Sequence, residues 1–359
     1  MEGIELKMMK KKLLLLMLAV FLSAFHGLAF LAYAADYKII TDMDDNKIEV
    51  PVNPRRIACM HGVSSDRIIM LGKGGSLTLM MKPSPWAYKL YPEIRNVHTT
   101  EPPFSGNVER MLKLKVDLVL YSPFPGEAEK YKAAGIKTAC GFSAQKRPRT
   151  MEDFMDNFKR QVMFFGDLLG PEAKPRAIRY CEYFDRKIGQ ILSVTSKIRK
   201  KDRPTVYYGG RSGNLLSSQG KASIMHWLTE VSGGNFLPQA YDGNFTEVNM
   251  ERVWSWNPDI ILISGWGNTL ESVKKNPNWA SMKAVKNGKL YSIPNGVFAW
   301  DYASGESILL AIYMAKIFHP DLFRNWDMAG EMKTFYSEVY GKTITDKDAE
   351  RILKCLPPM

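Results

Sequence analysis

Three side chains able to meet an anion or a metal stand where the chain leaves an apolar run: His61 after residues 56–60, Lys82 after 76–81 and Arg211 after 205–208. A lysine or arginine there neutralises a carboxylate, catecholate, propionate or oxyanion, with arginine the better fork-shaped donor. Trp86, Tyr88, Tyr208, Trp266 and Trp300 lie in or beside similar turns, and Ser122 adds a hydroxyl. Such rings stack on flat ligands, so the set suits a small, bulky, partly aromatic anion. A bare-metal site needs several His, Asp or Glu side chains converging. Only His61 is so placed, since His98 falls in a loop and His226 and His319 on helical stretches. No direct metal site is expected, and His61 is left as a possible contact to a metal already held in a chelate. The glycine-rich stretches 72–75 and 209–213 lack the spacing of a phosphate loop or dinucleotide fingerprint. No Gly-x-Ser-x-Gly elbow or His-Glu-x-x-His occurs. The expectation is a non-catalytic protein with no permanently bound cofactor. A cofactor-dependent enzyme on the same fold is the less favoured alternative, because fold does not fix function.

The elements that must position these residues alternate. Strand-like runs at 56–60, 76–81, 117–121, 136–139, 205–208, 259–263 and 289–293 are separated by helical patterns, as in a mostly parallel sheet covered by helices. Residues 150–169 and 172–200 have helical periodicity and almost no strand signal. Residues 108–122 align without gaps to residues 250–264, at a constant offset of 142 residues, and Glu-Arg, Asp and Ser recur in register. Each copy reads as a helix feeding a buried strand. The predicted fold is therefore α/β, with two Rossmann-like lobes, each built on a central, mostly parallel sheet, joined by a long backbone helix. Ligands of such sheets bind beyond the carboxyl ends of the strands, which places a cleft between the lobes. The boundaries drawn are 1–34 for a signal peptide, 35–149 for the first lobe, 150–171 for the interdomain helix and 172–359 for the second lobe.

Residues 7–12 are rich in lysine, residues 13–22 are apolar, and Ala32-Tyr33-Ala34 has the small residues a signal peptidase reads. Cleavage after about Ala34 and residence in a bacterial periplasm are expected. A retained anchor is the alternative, since 13–34 is long enough to span a bilayer. The chain of 359 residues carries a formal charge of +12. The leader removes four Lys and two Glu, so +10 stays with the mature chain. No run of five or more basic residues follows the leader, which argues against nucleic acid and for a spread surface charge. Cys59, Cys140, Cys181 and Cys355 match no zinc or redox spacing. Disulfides Cys59–Cys140 and Cys181–Cys355, or free thiols, are both open.

The sequence resembles the bacterial ABC-transporter substrate-binding proteins of the helical-hinge class, the iron-siderophore, haem and cobalamin group. The resemblance rests on 42–51 followed by Pro54-Arg55-Arg56-Ile57, on the two repeat strands, on 279–291, and on the apolar stretch 307–323. It implies a monomeric carrier that takes a metal chelate, a ferric siderophore first and haem or cobalamin next, to an inner-membrane ABC permease with its ATPase. It also implies permease docking through one glutamate per lobe, here Glu109 and Glu251. A tetrahedral oxyanion such as molybdate or tungstate is the alternative cargo.

Overall fold

Strands apolar on both faces are stable only inside a covered sheet, and this chain builds two. The computed structural model describes residues 37–100, 105–143, 146–265 and 270–359. The first sheet holds β1 (Ile57–Cys59), β2 (Leu77–Met80), β3 (His98–Thr99), β4 (Leu118–Tyr121) and β5 (Thr138–Cys140) in the order β3-β2-β1-β4-β5. The second holds β6 (Thr205–Gly209), β7 (Asn235–Phe236), β8 (Ile260–Ile263) and β9 (Leu290–Ser292) in the order β7-β6-β8-β9. Every pairing within these two sheets is parallel. The seven strand-like runs all became strands. The short edge strands β3 and β7, two residues each, lack the apolar run that marks a central strand.

Each sheet starts at an inner strand, winds to one side and then crosses back. The reversal falls between β1 and β4 in the first sheet and between β6 and β8 in the second. These are the two places where loops diverge and leave room for a ligand.

Helices α1 (Gly62–Met70), α2 (Pro85–Leu90) and α3 (Val108–Lys113) cover the first sheet. The long α4 (Met151–Leu169) starts at a capping box: Asp153 N donates to Thr150 Oγ1 at 3.0 Å and Thr150 N to Asp153 Oδ2 at 3.1 Å. Phe154, Phe158, Val162, Phe165 and Leu169 are buried at the spacing of one helical stripe. Gly166 lets α5 (Lys174–Thr195) approach closely, since a Cβ there would meet Ala177 Cβ at 2.7 Å. Beyond it come α6 (Ile224–Val231), α7 (Met250–Trp256), the almost wholly buried α8 (Ser307–Phe318), α9 (Met328–Phe335) and α10 (Asp346–Leu353).

The carboxyl-terminal elements cross back to the first sheet's helices. Tyr91 OH donates to Tyr340 O at 3.1 Å, Lys89 Nζ to Asp348 Oδ1 at 2.7 Å, and Trp86 Nε1 to Leu356 O at 3.0 Å. A buried ion pair on α1 does the same. Asp66 accepts from Tyr340 OH at 2.8 Å and from Gly305 N at 2.7 Å, while Arg67 donates to Ala303 O at 2.7 Å. Both sheets belong to one compact unit, Ile39–Met359.

The internal repeat extends to detail. Asn107 and Asn249 cap α3 and α7, accepting from Arg110 N at 2.9 Å and Arg252 N at 2.8 Å. Lys115 and Asn257 both take the left-handed conformation, with φ of 50° and 38°, where the chain leaves each helix. Asp117 accepts from Arg55 N at 2.9 Å and Asp259 from Thr205 N at 2.8 Å, each carboxylate pinning the entry to the neighbouring strand.

All four cysteines are free. Strand β4 runs between Cys59 on β1 and Cys140 on β5. Two strand spacings hold them at about 10 Å, beyond the reach of a disulfide. Cys181 Sγ faces Lys159 O at 3.9 Å and Cys355 Sγ faces Ile293 O at 3.1 Å. Among the described residues, no helix is long and apolar enough to cross a membrane. The expected leader, 1–34, lies outside them.

Candidate functional site

A cavity of about 500 Å³ opens where the two switch points face each other. The first sheet contributes His61, Gly62 and Val63 after β1, Pro123 and Phe124 after β4, and Phe142 and Ser143 after β5. The second contributes Arg211 after β6, then Gln219 and residues 222–224, and Phe298, Asp301 and Tyr302 after β9. Helix α4 supplies Phe154, Asn157, Phe158 and Gln161. Met43, Met81 after β2, Lys146, Arg147 and Phe245 also line it.

Arg211 is brought in by a turn at Gly210, whose φ of 90° favours glycine. Its guanidinium carbon lies 3.4 Å from the centroid of the Phe245 ring, so the plane of donors is held by stacking. Arg211 Nε is buried with no hydrogen-bond acceptor among the described residues. Behind it Asp301 accepts from Tyr208 OH and Ser264 Oγ, both at 2.8 Å, and burial raises its carboxyl above the usual range. The Asp301 carbonyl accepts from Gln219 Nε2 at 2.8 Å, which fixes a second polar wall.

His61 faces Arg211's side of the cavity from the first sheet. Burial pushes its imidazole down to about 4, so it is neutral at pH 7. Its ring stacks on Phe142 with centroids 5.1 Å apart, and Nδ1 lies 3.4 Å from Ser64 Oγ. His61 makes no side-chain cap to α1, whose first turn, Gly62 and Val63, lines the cavity. The amino end of α6 meets the same space through Ser223 and Ile224. Two helix amino ends thus bring partial positive charge from opposite sheets. Gly62 is required where it stands, because a Cβ there would lie 2.5 Å from the Phe298 ring of the second sheet.

Of the residues singled out from sequence, the structure places His61 and Arg211 on the cavity wall. Ser122 lies beneath it, donating to Met60 O at 2.6 Å and tying β4 to β1. Tyr208 is fully buried under Asp301, and Trp300 is fully buried beside it. Lys82, Trp86 and Tyr88 follow β2, one strand away from the switch point. Lys82 is exposed there, Trp86 is buried against Leu356, and Tyr88 packs on the core. Trp266 lies outside the described residues. Besides His61 and Tyr302, the rings that line the cavity are six phenylalanines, at 124, 142, 154, 158, 245 and 298. Phe124 and Phe298 stood in the loops expected to line the cleft. Phe154, Phe158 and Gln161 on α4 carried no signal beyond helical periodicity. Among the described residues, no three His, Cys, Asp or Glu side chains group as metal ligands. Glu109 and Glu251 are exposed on α3 and α7, away from this cavity.

Two parallel α/β sheets, joined through a long helix and enclosing a cavity at their facing switch points, define a bilobed solute-binding protein. A family model described as periplasmic binding protein matches residues 57–296, and the chain belongs to that family, one of solute-binding proteins and not of enzymes. It is similar to the molybdate-binding protein MolA of Haemophilus influenzae, at 24% identity over 362 residues covering 95% of this chain and 100% of MolA. The structure of MolA bound to molybdate superposes with a TM-score of 0.77 and 20% identity, covering 86% of this chain and 99% of that one. The haem-uptake protein IsdE of Staphylococcus aureus is 26% identical over 236 residues, 62% of this chain and 76% of IsdE. The structure of CeuE from Helicobacter pylori with nickel and histidine has a TM-score of 0.68 at 18% identity, covering 89% and 99% of the two chains.

Proposed function

We propose that this protein is the periplasmic substrate-binding component of an ABC importer, carrying an anionic metal chelate to an inner-membrane permease with its ATPase. The observation that carries the cargo class is the cavity itself: about 500 Å³, walled by six phenyl rings, with Arg211, Lys146 and Arg147 as cations. Pockets of this size enclose drug-sized ligands. Four oxygens around one metal, at about 30 Å³ each, would leave most of it to water. A ferric siderophore with carboxylate or catecholate groups matches the walls best, and haem or cobalamin come after it. Arg211 would meet the anionic group, and the neutral imidazole of His61 has a lone pair to offer the chelated metal. Trp266 is the counterpart of Phe124 by the same offset of 142 residues, which supports a ring contact there. Ser122, Tyr208 and Trp300 would position these groups from beneath, whereas Trp86 and Tyr88 pack into the core and Lys82 is exposed beside Met81, the residue after β2 that lines the cavity. Residues 1–34 would be removed on export, leaving a monomer in the periplasm, and amino-terminal sequencing of the periplasmic protein should begin at Ala35.

A second reading, a molybdate or tungstate carrier, is favoured by the similarity to MolA along 95% of the chain. Two helix amino ends and Arg211 would hold such an anion. A thermal-shift screen of residues 35–359 against ferric siderophores, haem, cobalamin, molybdate, tungstate and nickel separates the two. A ligand at 100 times its dissociation constant adds about 2.7 kcal/mol. The largest shift is expected with a ferric chelate. A shift with molybdate or tungstate alone selects the second reading, and none with any compound overturns both.

A further inference from the structure

Equivalent positions of the repeat expose an unusual pair. Leu112 on α3 and Trp254 on α7, separated by the repeat offset of 142 residues, are 52% and 48% exposed. Each stands three residues after a glutamate, Glu109 or Glu251, and so shares its helix face. The Trp254 ring is held in place, its Nε1 donating to Asn278 O at 2.8 Å. Single exposed apolar residues are ordinary on a protein surface; here both copies of the repeat place a large apolar side chain at the same exposed position. Charge alone does not distinguish this face. Arg110 and Lys113 flank Glu109, and Arg252 flanks Glu251, so neither helix is acidic overall.

We propose that Leu112 and Trp254 are the apolar anchors of a two-point docking surface, each beside its glutamate. The inference rests on the importer reading above and deepens it by naming what the carrier presents to the permease. The occupant is a membrane partner with two equivalent recesses, each pairing a cation with an apolar floor. Two copies of one epitope on one chain fit a two-fold partner, and a buried Trp or Leu beside a rim charge supplies the desolvation that a rim charge alone does not.

The test is saturable binding of full-length mature protein to right-side-out inner-membrane vesicles of the source bacterium. Four variants are compared with the parent: Leu112→Ser, Trp254→Ser, the double variant, and Glu109→Lys with Glu251→Lys. The double serine variant should weaken binding by about tenfold or more, each single variant by part of that, and Trp254→Phe should restore most of the loss. Leu112→Ser carries no change in hydrogen bonding and guards against a local effect of losing the bond to Asn278. Serine variants that bind like the parent while the lysine pair does not would overturn the proposal and leave the importer reading standing. A parent protein that does not bind the vesicles would overturn that reading and the proposal with it. Concentration-dependent dimerisation of the parent, lost in the serine variants, would assign the face to a second copy of this chain and also overturn the proposal.

Discussion

The two copies of the repeat differ at one end only. From the asparagine cap to the pinning aspartate, α3–β4 and α7–β8 match in capping, in the left-handed residue after each helix and in exposure at every position but one, Val116 being half-buried and Pro258 buried. At the carboxyl ends of the strands the likeness stops. Ser122 spends its hydroxyl on the Met60 carbonyl, a neutral tie within the first sheet. Ser264, its counterpart, donates to the Asp301 carboxylate, which also holds Tyr208 and faces the Arg211 side of the cavity. The first sheet therefore offers the ligand an uncharged imidazole and rings at its strand ends, with Lys146 and Arg147 in the segment after β5, and the second offers Arg211 in front of a hydrogen-bonded polar wall. A scaffold end free of ligand can stay the same in both copies; the ends that close on one unsymmetrical ligand have to differ.

The comparison can be broken most severely between the copies. Arg67 is fully buried and joins α1 to the segment around Ala303, with Asp66 tied to Gly305 and Tyr340. Arg67→Ala leaves the Asp66 carboxylate buried without its cation and should cost about 3 to 5 kcal/mol in urea unfolding. Arg67→Ala unfolding at the parent midpoint would remove the pin from the account. A smaller and matched effect is expected inside the copies. Asp117→Ala removes a carboxylate accepting from the Arg55 and Arg56 amides, and Asp259→Ala one accepting from the Thr205 amide and hydroxyl and paired with Lys283; each should cost about 1 to 3 kcal/mol. A loss near zero at either position would remove that pin from the account.

A third effect is in pH dependence. Burial pushes His61 and His226 down to about 4, and His226 Nδ1 accepts from Ala222 N at 3.2 Å. Both stay neutral in the fold while the unfolded chain takes up protons, so their contribution is complete above about 6.5 and falls as the pH drops toward 4. Burial pushes Glu306 up to about 8, so its contribution is complete below about 4.5 and is lost as the pH rises through 8. The two histidines therefore raise stability as the pH climbs to about 6.5, and Glu306, with the raised carboxyls of Asp66 and Asp301 acting the same way, lowers it as the pH climbs further toward 8. His226→Gln should flatten the acid limb and Glu306→Gln the alkaline limb in chemical denaturation. Unchanged limbs would mean that other groups set the profile.

The central strands, the long helices and the repeat were legible in the sequence, because buried parallel strands are apolar on both faces and the repeat keeps polar residues in register. The site was legible only as loops. Loop position follows from topology, so Arg211 and His61 could be placed from the ends of β6 and β1. Which side chain of a loop turns to the ligand depends on packing behind it, and Tyr208 and Trp300 turned inward to fill the space under Asp301. The phenyl rings of α4 are core residues by sequence pattern and cavity residues only because α4 runs beside both switch points. The tail beyond α8 shows the same limit, since no local pattern tells that Leu356 will cover Trp86.

The central claim is that ligand binds at the facing switch points, with Arg211 as the charged contact. Isothermal titration of the ferric chelate giving the largest thermal shift tests it, using the parent, Arg211→Ala and Lys82→Ala. Arg211→Ala should weaken binding by about 1 to 3 kcal/mol, and Lys82→Ala, beside β2, should leave the dissociation constant unchanged. An unaltered constant for Arg211→Ala together with a weakened one for Lys82→Ala would contradict the account.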